Sequence, residues 1–206
     1  MKIIIAVASL FLSVLGADAA VKNYLNGAFL KLPPRYLADV PLEKRKALWS
    51  SMTANPDDRR LDNKNGWIHY SSDGGDHESP VGRPTSMFWV KLLPRKGESP
   101  LVFVHMSKPF ADGSVPAKDQ TFVLKQTDDG WKDVTKSVIP KSVDLTAHFR
   151  PKRKVAEIEV APFEKIQTKE GNRPAYDFGA HKMDLVWNGS AFDSRKAKSP
   201  KLSADD

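Results

Sequence analysis

Between residues 66 and 187 the chain is cut into short runs of β-branched and aromatic residues, "GWIHY", "SMFWVKLL", "PLVFVHM", "TFVLKQT", "VAEIEVA" and "MDLVW", separated by Gly, Pro, Asp and Asn. Runs of this length and composition suit strands, and their spacing suits an antiparallel sheet. "KQTDDGWKDV" and "LVWNGSAF" place Asp-Gly and Asn-Gly between strand-like flanks, where both turn residues tolerate positive φ, so each predicts a tight hairpin. "LVFVHM" is apolar on both faces and predicts a central, covered strand. "VAEIEV" alternates, with Ala156, Ile158 and Val160 inward and Glu157 and Glu159 outward.

The expected fold is therefore mainly β: an antiparallel sheet arranged as a sandwich, a partly open barrel or an α+β meander, with one short N-terminal helix near 41–52. Pro41 fits the first turn of that helix, and Leu42, Trp49 and Met52 recur at helical spacing. "VKNYLNGAFLKLPPRYLADV", with its Pro-Pro pair, reads as an extended lead-in packed on the domain. A short helical turn is expected in "DVTKSVIPKSVD", limited by Pro140.

Lys2 precedes the apolar run "IIIAVASLFLSVLG" and the small-residue stretch "ADAA", the parts of a secretory signal. Residues 1–19 are read as that signal, 20–195 as a single β-rich domain and 196–206 as a disordered tail. The run is shorter than the roughly 20 residues a spanning helix needs, and no later segment approaches that length. Export into a bacterial periplasm or the medium is the expected localisation.

The absence of cysteine excludes disulfides, thiolate nucleophiles and Cys-ligated zinc. Lys and Arg number 32 against 25 Asp and Glu, a formal net charge of +7 that favours anionic partners. Three basic clusters stand out: Arg150, Lys152, Arg153 and Lys154 in "RPKRK", Lys44, Arg45 and Lys46 in "EKRK", and Arg195, Lys196, Lys198 and Lys201 near the end. Together they point to anionic polysaccharide, lipopolysaccharide or another polyanion as ligand, with nucleic acid a weaker candidate. Trp67 and His69 share one strand face, of interest if that face is the outer one, and Trp131 follows a turn where exposure is expected. Trp89 and Trp187 read as interior.

"DGGDHESP" offers Asp73, Asp76, His77 and Glu78 as candidate metal ligands, but it matches no ordered template, and its paired glycines and Pro80 favour a solvated loop between strands. The five histidines show no spacing of a zinc ligand pair. His105 reads as a hydrogen-bonded histidine at a sheet edge. No nucleophile elbow or phosphate-cradling loop occurs, so no cofactor is expected. The expected function is a non-catalytic binding or envelope-associated protein. The alternatives are a hydrolase with a carboxylate or histidine site lacking any sequence signature, and a structural component of an envelope assembly.

Overall fold

The computed structural model describes residues 21–72, 86–108, 118–145, 147–152, 156–161, 163–168, 171–176 and 183–196, and for 108, 118, 163–168 and 171–176 the backbone alone. The expected signal, the loop bearing Asp73, Asp76, His77 and Glu78, the residues Arg153 and Lys154, and the tail from 197 onward lie outside the described residues.

The protein is mainly β. Strands β1 (Leu61–Asp62), β2 (Trp67–Ser71), β3 (Met87–Arg95), β4 (Glu98–Lys108), β5 (Lys118–Thr127) and β6 (Gly130–Asp133) form a six-stranded antiparallel meander in chain order. Strands β7 (His148–Pro151) and β8 (Glu157–Ala161) pair in a second sheet, whose order is completed by β11 (Met183–Trp187) and β12 (Phe192–Lys196) as β12-β11-β8-β7. Between them β9 (Phe163–Thr168) and β10 (Gly171–Tyr176) make an antiparallel ribbon of their own. Both sheets are open, so the architecture is two layers of sheet and not a closed barrel. The two predicted hairpins are present as β5–β6 and β11–β12, and β4 is a central strand buried from Leu101 to Ser107.

The two N-terminal helices cover the face of the six-stranded sheet that the second sheet leaves free. Helix α2 (Leu42–Ala54) follows Pro41 as expected. The "lead-in" is not extended, however: residues 21–31 form a helix, α1, followed by a 3-10 turn at Pro34–Tyr36. Leu25, Ala28, Phe29 and Leu32 fall at i, i+3, i+4 and i+7, which gives α1 a continuous apolar stripe. The Pro-Pro pair stands just beyond its end, where it stops the helix instead of preventing it. A third helix, α3 (Thr135–Val138), is the short turn expected before Pro140.

Each face of the six-stranded sheet thus has its own core. On the helix side Ile68, Tyr70, Phe88, Val90, Val104 and Met106 pack against Leu25, Phe29 and Leu37. On the sheet side Leu93, Phe103 and Val123 pack against Phe149, Ile158, Leu185 and Trp187, and Trp187 Nε1 donates to the Pro94 carbonyl at 2.6 Å. Strand alternation makes this two-sided burial possible: successive residues of β3 and β4 serve opposite cores.

Arg45 departs most from the expected surface role. It is 3% exposed, and its Nη1 donates to the carbonyls of Phe29 and Leu32, both at 2.7 Å. It therefore caps the C-terminal end of α1, where carbonyls lack intrahelical partners. Lys44 stands 5.4 Å from the Tyr70 ring and Lys46 pairs with Glu43, so "EKRK" is not a free basic patch.

Candidate functional site

Register on the sheet-side face of the meander sets the site. Opposed residues across four strands form one row, His69 on β2, Trp89 on β3, His105 on β4 and Thr121 on β5. The neighbouring row is Trp67, Lys91, Phe103 and Val123. The face shared by Trp67 and His69 is thus the one turned toward the second sheet, not the outer one.

At one end of these rows lies a cleft of about 400 Å³ lined by Arg59, Trp67, His69, Trp89, Arg150, Pro151, Lys152 and Glu159. The His69 ring stacks on Trp89 at 3.9 Å with an interplanar angle of 16°, and Trp67 lies 5.4 Å from Trp89. Trp67 and His69 are nearly covered, and Trp89 is partly exposed. The Trp89 indole N–H is buried and has no hydrogen-bond partner among the described residues. The structure therefore brings together Trp67, His69, Arg150 and Lys152 from distant parts of the sequence. It adds Arg59, which carried no sequence signal, Glu159, read only as outward on its strand, and Trp89, read as interior but here partly exposed at the cleft.

The rim is of mixed charge. Arg150 donates through Nε to Glu159 at 2.7 Å across the β7–β8 ladder. Lys152 donates to Glu157 at 2.9 Å and lies 3.4 Å from Asp184. Burial alone would lower the Lys152 pKa, but the bond to Glu157 and the charges of Asp184 and Glu157 outweigh it and raise the pKa. Arg59 is exposed and makes no ion pair among the described residues. Trp131 is elsewhere: it sits on β6, across from Gln126, and packs against the helix-side core.

Further along the row is a second constellation that histidine spacing did not reveal. His105 is fully buried on the central strand β4, not at a sheet edge. Its Nδ1 is 2.9 Å from Thr121 Oγ1, and its Nε2 is 3.3 Å from Nδ1 of His148, which is buried on β7 of the other sheet. Asp119 on β5 completes the group, with Oδ2 at 2.7 Å from His148 Nδ1 and 3.4 Å from His105 Nε2. Burial pushes the His105 pKa down to about 4, with the Asp119 carboxylate opposing the shift. Burial by itself lifts the Asp119 carboxyl, but hydrogen bonds and charge from His105 and His148 outweigh it and hold the group well below the usual carboxylate range. His105 and His148 are 43 positions apart in the chain, so only the stacking of the two sheets makes them neighbours.

No helix among the described residues is long and apolar enough to cross a membrane. No family model, curated protein or solved structure matches the chain.

Proposed function

We propose that the protein is an exported, non-catalytic binding module whose cleft takes a sugar ring of an acidic polysaccharide or lipopolysaccharide. The observation that carries this reading is the convergence of a three-ring aromatic floor with the cations Arg59, Arg150 and Lys152 around one cleft. Aromatic surfaces supply apolar contact for a ring, and a forked guanidinium recognises carboxylate or phosphate in two-pronged fashion. Export is supported by the N-terminal apolar run alone.

In its carboxylate-pair form the hydrolase alternative asks for two carboxylates flanking the scissile bond. Among the described residues lining the cleft, Glu159 is the one carboxylate, and it is engaged by Arg150. The assembly alternative asks for a contiguous apolar surface. Among the described residues Leu42 is the one large hydrophobic side chain that is exposed, at 40%.

The test is retention of the purified protein on heparin and lipopolysaccharide resins, followed by calorimetry with fragments of whichever polymer binds. Trp89→Ala and Arg59→Glu should each weaken binding about 10-fold, an effect of about 1.4 kcal/mol, and raised salt should elute the protein. Equal retention of both folded variants and the wild type would remove the cleft from consideration.

A further inference from the structure

We propose that His105, Asp119 and His148 form a binding site for a divalent transition-metal ion, zinc being the ion that fits its ligands. The site is separate from the cleft and joins the two sheets: His105 and Asp119 come from β4 and β5, His148 from β7.

The first argument is convergence. His105 Nε2, His148 Nδ1 and Asp119 Oδ2 face one another at 2.7, 3.3 and 3.4 Å, while the other ring nitrogen of His105 is taken up by Thr121 Oγ1 at 2.9 Å. Two imidazole nitrogens and a carboxylate oxygen, the donor types that ligate a transition metal, thus meet at one point between the sheets.

The second argument is an orphaned atom. Among the described residues Asp119 Oδ1 is buried with no hydrogen-bond partner, and no Lys or Arg pairs with Asp119. Buried carboxylates are otherwise paired, fully hydrogen-bonded or metal-bound. The third argument is spacing. Donor atoms on a tetrahedral ion with bonds of about 2.0 Å lie roughly 3.3 Å apart. The two separations involving His105 Nε2, 3.3 and 3.4 Å, already have that value. The third, at 2.7 Å, is the hydrogen bond that the ion replaces. On binding, the His148 Nδ1 proton leaves to solvent, two imidazole nitrogens and one carboxylate oxygen become ligands, and water takes the fourth position.

Nitrogen donors and a single carboxylate suit a transition metal and not calcium, which takes six to eight oxygens. Thr121 orients His105 from behind, as outer-sphere partners of metal-bound imidazoles do. Because the ligands come from both sheets, the ion clamps one sheet to the other.

The test uses the tag-free full chain, stripped with a chelator. Calorimetry with Zn²⁺ should give one ion per chain and a higher melting temperature, and Co²⁺ should give the intense visible bands of a tetrahedral nitrogen and oxygen site. His148→Gln and Asp119→Asn should abolish both signals, and Thr121→Val should weaken Zn²⁺ about 10-fold. Absence of stoichiometric Zn²⁺ binding by the wild type, or a tetrahedral Co²⁺ spectrum that persists in Asp119→Asn, would overturn the proposal. Should the ligand variants fail to fold, Thr121→Val and the wild-type cobalt spectrum decide it, octahedral bands counting against it.

Discussion

Arg45 and Lys91 show how a single buried cation can either secure this fold or tax it. Arg45 donates two 2.7 Å hydrogen bonds to carbonyls at the end of α1. Hydrogen bonds to a charged group contribute roughly 1.5 to 3 kcal/mol each. Arg45→Met should therefore lower stability by about 3 kcal/mol in urea unfolding, with Arg45→Lys recovering part of it. Lys91 is 2% exposed, and burial pushes its pKa down to about 8 despite the opposing charge of Asp62. The unfolded chain holds that proton to about 10.5, so between these pH values it binds more protons than the folded protein, and this group's contribution to stability rises with pH. Lys91→Met should melt higher than the wild type at pH 7, and the gap should narrow as melting is repeated between pH 8 and 10. Neither role was legible in the sequence: both residues carry the commonest surface charges, and only the register of β3 and the placement of α2 against the end of α1 bury them. The cleft was half legible for the same reason. Trp67, His69, Arg150 and Lys152 stand out by type, but their meeting depends on how the second sheet lies against the first.

Elements were legible where local chemistry alone decides the backbone. The Asp129-Gly130 and Asn188-Gly189 hairpins are present as read, and so are α2 behind Pro41 and α3 before Pro140. α1 is not legible from the Pro-Pro pair, which argues for an extended chain, although its apolar stripe at 25, 28, 29 and 32 is plain. Tertiary packing of that stripe overrides the weak propensity of its polar side. A tighter local constraint sits between β1 and β2. Gly66 has φ +62°, and a Cβ there would come within 3.0 Å of the Leu92 side chain. Its carbonyl also accepts from Leu92 N at 2.8 Å. Gly66→Ala should cost about 1 to 3 kcal/mol in thermal or urea unfolding, whereas Gly27→Ala, with nothing nearby, should be stabilising or neutral.

For the molecule as a whole, the sequence posed a choice between a second sheet and a helical layer as cover for the first, and the structure uses both. Two cores stand on opposite faces of β3, β4 and β5, so damage to either face acts on the same strands. Trp49 reports on the helix side and Trp187 on the sheet side. Variants retaining one or the other as reporter should unfold at the same urea midpoint, and separated midpoints would show that the layers melt independently.

The row His69, Trp89, His105, Thr121 has a consequence for assembly as well as for binding. Adjacent strands β3 and β4 are greasy on both sides, so hydrophobicity alone tells them poorly how to align. Sliding one past the other by a single residue would turn His105 into the oily layer beneath the helices and strip it of Thr121 and Asp119. The polar lane thus works as a proofreading mark, penalising misthreaded sheets that an all-aliphatic interior would tolerate.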